Sequence, residues 1–122
     1  MTDMTTYLES KVRITPISGS GSVYAQSLIA RGFADTRATK IGEAIDNDDM
    51  GALAFAIGSC DDYYYPWLIE NEPILFLYFR KHASHLKADI ERMDERIREH
   101  LEKRGDKEYM RLVQVGGEEY DR

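Results

Sequence analysis

Residues 73–104 read PILFLYFRKHASHLKADIERMDERIREHLEKR, and the fold of the chain turns on how that stretch is read. Phe76, Phe79, Ala83, Leu86, Ile90, Met93 and Ile97 follow alternating steps of three and four, the a/d seam of a coiled-coil-like helix. Asn71 stands before it as a cap, and Pro73 falls in the first turn, where its missing N–H costs little. Gly105 ends it. At 1.5 Å per residue such a helix is a rod of roughly 48 Å, longer than the diameter of about 30 Å expected for a compact domain of this size. Part of it should therefore project, or pack on a second copy.

The two halves of the rod differ. Ile74, Leu75, Phe76 and Leu77 are too broad an apolar block for a narrow seam, so the half from Phe76 to Leu86 is expected to cover the chain's own core. The half carrying Ile90, Met93, Ile97 and Leu101 is expected to be an association seam. With Phe79 at d and Ala83 at a, a parallel homodimer would set Asp89 against Asp94 and would close on His100 and Arg104. Repulsion there favours an antiparallel homodimer, or docking on a different protein.

Three short helices precede the rod in this reading. Ser22 caps the first, which runs from Val23 to Arg31 and stops at Gly32. Thr36 caps a second, with Ile41, Ala44 and Ile45 on one side. The third has the cleanest pattern, with Met50, Leu53, Ala54 and Ile57 at i, i+3, i+4 and i+7 between the cap Asp49 and the stop Gly58. Residues 11–15 alternate polar and apolar like a short strand ended by Pro16, and residues 108–115 could pair with it. The fold class expected is thus mainly α, three short helices on one long helix, with a minor two-stranded β element.

A chain of 122 residues with 43% hydrophobic and 31% charged side chains fits a single globular domain, residues 1–122. Its divisions are a strand and flexible loop (1–21), short helices (22–58), an acidic-aromatic connection (59–72), the long helix (73–104) and a closing strand with a frayed tail (105–122). No apolar run approaches the roughly 18 residues of a spanning helix, and the N-terminal residues lack a basic region followed by an apolar block. One cysteine, Cys60, offers neither an intrachain disulfide nor a thiolate metal site. The expectation is a soluble cytoplasmic protein without cofactor, metal or membrane contact. The net charge of −6 is uneven: residues 1–72 carry 5 basic and 11 acidic side chains, residues 73–104 carry 8 and 6. A basic helix on an acidic body suits self-docking or a mixed-charge partner.

The foremost candidate site besides the seam is Asp61-Asp62-Tyr63-Tyr64-Tyr65-Pro66-Trp67. Tyrosine and tryptophan supply large contact area at small entropic cost, and consecutive rings cannot all point inward. Trp67 is expected to anchor the fold and at least one tyrosine to be exposed; the segment reads equally as a loop or a Pro-broken helix. Gly19 and Gly21, between the strand and the first helix, resemble a phosphate cradle, but Tyr24 stands where a third glycine is needed and no Lys-Ser/Thr follows. Arg31, Arg37 and Lys40 lie on a helix-turn-helix-like pair spanning residues 25–45, whose second helix closes with Glu43 and Asp46. Asp46, Asp48, Asp49, Asp61 and Asp62 could imitate nucleic acid, although caps at helix starts already explain Asp48 and Asp49. His82 and His85 share a helix face but lack neighbouring acids to complete a metal site.

No nucleophile stands at a spacing that marks its base, so no catalytic residue is named and no enzyme is expected. The leading expectation is a small non-enzymatic module that inhibits or regulates a larger protein, such as a phage-encoded antagonist of a host defence system. A nucleic-acid- or phosphate-ligand-binding regulator is the alternative, and an acidic nucleic-acid mimic the third.

Overall fold

The computed structural model describes residues 4–12, 17 and 20–111, and among them the chain is mainly α-helical, without a strand. In chain order the helices are α1 (Met4–Lys11), α2 (Gly21–Ala30), α3 (Asp35–Asp46), α4 (Met50–Gly58), α5 (Tyr64–Asn71), α6 (Pro73–His82), α7 (Lys87–Arg104) and the single turn α8 (Lys107–Tyr109). No helix among the described residues is long and apolar enough to cross a membrane. The expected β pairing does not form within the described residues: Lys11 closes α1, and Glu108 lies in α8. Residues 13–15 of the first expected strand, the glycine Gly19 and residues 112–122, which include half of the second expected strand, lie outside the described residues.

Packing follows the chain from neighbour to neighbour. α2 lies on α3 and α3 on α4; α1, α4 and α5 surround α6, and α7 returns along α5. Leu28, Ile41, Leu53, Ile57, Leu68, Leu75, Phe76 and Phe79 meet in one continuous buried cluster. The α2–α3 crossing is close enough to need glycine on both sides. A Cβ on Gly42 would sit 2.6 Å from the Gly21 carbonyl oxygen and 2.9 Å from the Ala25 Cβ, and one on Gly21 would meet the Gly42 oxygen at 2.1 Å.

Three helices end by one device. After α2, Phe33 N–H donates to Leu28 O (3.0 Å) and Gly32 N–H to Ile29 O (3.0 Å), with Gly32 at φ 108°. The same pair of bonds closes α7 through Gly105 at φ 69°, and closes α3 through Asp48 at φ 52°, a left-handed position that an L side chain occupies at a cost. The starts are less regular. α4 begins as its sequence implies, the Asp49 carboxylate accepting Ala52 N–H at 3.0 Å. The cap of α2 is Ser20, whose Oγ accepts Val23 N–H at 3.1 Å, two residues before the expected Ser22. α3 starts at Asp35 with Ala34 as its cap residue, ahead of Thr36, and Glu72 rather than Asn71 is the cap residue of α6. Asn71 belongs to α5, where its amide donates to Trp67 O.

The largest correction concerns residues 73–104, which form two helices. Ala83 leaves the helical region at φ −129° and ψ 38°, Leu86 N–H donates back to Ala83 O at 2.8 Å, and α7 begins at Lys87. α6 already carried a sign of its end in Arg80, Lys81 and His82, since cations suit the negative pole of a helix. Because the chain turns, Arg80 on α6 reaches Asp94 on α7. In a straight helix those positions would stand about 21 Å apart. The same turn draws most of the expected association seam into the chain's own core: Met93, Ile97 and Leu101 are buried within the single chain and Ile90 is half-buried. The acids and bases that opposed a parallel zipper are paired inside the chain instead, Asp89 with Arg92, Asp94 with Arg80, and His100 and Arg104 with Glu70.

Replacing Gly42 with Ala tests the close crossing. Backbone flanks the new methyl, so the variant should lose about 1–3 kcal/mol of unfolding free energy in urea titration. A variant as stable as the parent would contradict this packing.

Candidate functional site

Asp61 organises the acidic-aromatic segment. Its carboxylate oxygen accepts the N–H of Tyr63 (3.0 Å) and of Tyr64 (2.9 Å), and its carbonyl accepts that of Tyr65 (2.9 Å). Three donors at the start of α5 are thereby satisfied, and Pro66 falls in the first turn, where no N–H is required. The segment is therefore a capped helix start.

The three tyrosines then take three depths. Tyr63 stands 67% exposed, Tyr64 is half-buried and Tyr65 is buried. The Tyr63 and Tyr64 rings meet edge-on with centroids 4.9 Å apart, Tyr64 meets Phe33 edge-on at 5.2 Å, and Phe33 lies against Trp67 at 5.2 Å. An aromatic ladder thus runs from solvent to the end of α2. Tyr65 faces the other way, under the Arg96 guanidinium at 3.8 Å from its ring centre. Burial pushes its phenol well above the ordinary range against the pull of Arg96, and its hydroxyl has no hydrogen-bond partner among the described residues. Tyr65 is core, and Trp67 is half-buried against Phe33. Asp61 and Asp62 are both exposed, with Asp62 3.5 Å from Arg96.

Below this segment, α5 and α7 border a groove of about 420 Å³ lined by Tyr65, Pro66, Ile69, Arg96, His100 and Lys103, with Asp62 and Glu99 among its walls. One lining residue, His100, is tied to Glu70: its Nε2 lies 2.9 Å from a Glu70 carboxylate oxygen that Arg104 also engages. Burial raises the Glu70 carboxyl, but hydrogen bonds from His100 and Arg104 outweigh it and hold the group below its ordinary value. Cations of α7 thus find acidic counterparts on α5 and just before it, Arg104 with Glu70 and Arg96 with Asp62.

The anion-binding candidates are dispersed or occupied. Gly21 N–H, the donor a phosphate would use, is 2.6 Å from the Asp46 carboxylate. Arg31 binds Glu72, a carboxylate with no solvent exposure, and Tyr24 OH donates to the other oxygen of Glu72 at 2.6 Å. Burial and then the Glu72 charge push the Tyr24 phenol far up, so it remains a donor. Arg31 also stands over Trp67, 6.0 Å from its ring centre. Arg37 and Lys40 lie elsewhere, along a groove of about 360 Å³ between α3 and α4 that also carries Glu43 and Asp49. Of the five acids of the mimic reading, Asp46, Asp49 and Asp61 accept backbone N–H groups. His82 is exposed and stacks on Tyr78 at 4.3 Å, and no cluster of three metal-ligating side chains occurs among the described residues.

Two features had escaped sequence reading. Glu72 is a charged residue between Asn71 and Pro73, with nothing in its neighbourhood to mark it as buried. Phe55, on the α4 face opposite Met50, Leu53 and Ile57, is 73% exposed, the most exposed large apolar side chain in the described structure. Its signal was available, because Met50–Cys60 contains no charged residue on any face. No protein-family model matches the chain, and neither a curated protein nor a solved structure matches it.

If Arg31 serves the fold, its loss is a stability event. Arg31→Ala leaves Glu72 buried without its cation, and since Arg31 is itself partly solvated the expected cost is about 2–3 kcal/mol. Chemical denaturation checks this; an unchanged midpoint would return Arg31 to the list of groups free to bind a ligand.

Proposed function

We propose that this chain is a non-catalytic binding module that inhibits or regulates a larger protein by occupying its surface, with Tyr63, Tyr64, Asp61 and Asp62 as the contact. The observation that carries this reading is Tyr63 itself, a large ring left 67% exposed on a backbone held by Asp61 and against a ring held by the core. An aromatic side chain ordered before binding loses little entropy when a partner closes on it, which is the property that makes such residues dominate interfaces. The two exposed carboxylates beside it specify the other side: an apolar pocket rimmed by lysine or arginine. Trp67 and Tyr65 support the contact from below rather than touching the partner.

The state of the thiol agrees with a non-catalytic role. Cys60 is buried, and burial pushes it up to about 11 even though Arg37 pulls it down, so it stays protonated at neutral pH. The nucleic-acid and phosphate-ligand reading would need Gly21, Arg31, Arg37 and Lys40 to act together, and they stand apart with two of them engaged by carboxylates.

Side-by-side capture from an extract of the native host, using the parent chain and Tyr63→Ala, tests the reading, followed by titration against the protein recovered. Tyr63→Ala should weaken that complex about tenfold or more while leaving the melting temperature unchanged. Equal affinity of the two chains, or a melting temperature several degrees lower, would contradict it.

A further inference from the structure

α4 is an apolar helix that is only half covered. Met50, Leu53, Ala56 and Ile57 face the core, while Gly51, Ala52, Phe55 and Gly58 are exposed. A helix without a charged residue on any face ordinarily has no water-facing side at all. Phe55 projects beside the groove between α3 and α4, whose volume of about 360 Å³ exceeds what one phenyl ring fills and whose walls include Ala44, Ala52 and Ala56. The molecule therefore carries a knob and a hole next to each other.

We infer that this face is where two copies of the chain dock, Phe55 of each entering the α3–α4 groove of the other about a twofold axis. The rim chooses this occupant. It bears Arg37 and Lys40 together with Glu43 and Asp49, and none of these four makes an ion pair within the chain among the described residues. A rim of both signs is ill suited to a small anion and self-complementary under twofold symmetry, where the cations of one copy meet the acids of the other. Small residues allow the two α4 backbones to approach, since a Cβ at Gly58 would meet nothing and one at Gly51 only the Asp49 carboxylate at 3.7 Å. None of the groove residues belongs to Asp61–Trp67, so this contact leaves the proposed partner site free and does not depend on it.

Sedimentation of the full chain over a concentration series up to about 100 µM reads the equilibrium directly. The parent should reach a dimer, and Phe55→Glu should be monomeric or dimerise at least about tenfold more weakly. Its helical circular dichroism should equal the parent's, because the side chain is exposed. Lys40→Glu and Glu43→Lys should each weaken self-association and recover it when mixed, since each then supplies the charge the other lacks. A parent that stays monomeric throughout, or a dimer untouched by Phe55→Glu, overturns the inference. An equimolar mixture of the two charge variants no better associated than either alone removes the twofold pairing of the rim.

Discussion

The turn at Ala83–Leu86 is the constraint on which the remaining structure depends. α7 has few apolar residues, and Met93, Ile97 and Leu101 stabilise the fold only if another surface covers them. Reversing the chain supplies that surface from α5 and ties the reversal with Arg80 and Asp94. It also lays a helix rich in arginine beside Asp62 and Glu70. At the far end, the Tyr7 hydroxyl donates to Asp106 at 3.1 Å and its ring meets Tyr109 edge-on, so the end of the helical array closes against its beginning. Burial pushes the Tyr7 phenol up and Asp106 adds to the effect, which keeps the donor protonated.

What the sequence disclosed and what it hid divide on physical lines. Local chemistry was legible: the Asp49 cap, the stops at Gly32 and Gly105, and the inward face of α4 all follow from groups within a few residues of one another. Long-range chemistry was not. No proline or glycine marks the Ala83–Leu86 turn, and the three-four spacing runs through it in phase, because two successive helices facing one core can share a periodicity without sharing an axis. α1 escaped because the alternation of Lys11–Thr15 outweighed the spacing of Met4, Tyr7 and Leu8. Glu72 is buried because Tyr24 and Arg31, more than forty residues away, come to meet it.

For the candidate sites the same division holds. That one tyrosine must face outward was legible from three consecutive rings; which one was decided by the Asp61 cap and by the covering Arg96. The fold buries Met93, Ile97 and Leu101 and leaves two apolar surfaces open, the ladder ending at Tyr63 and the uncovered side of α4 around Phe55.

The distance between Asn71 and Lys103 tests the central claim of chain reversal most directly. Both residues are exposed, and their neighbours Glu70 and Arg104 form an ion pair. With Cys60→Ser, nitroxide labels on Asn71→Cys and Lys103→Cys, and dilution with unlabelled chain to suppress intermolecular distances, a pulsed dipolar measurement should give one short distance of about 20–25 Å, the spacing of packed helices plus the two label arms. A distribution centred near 48 Å, the length of an unbroken helix over the same residues, would contradict the account.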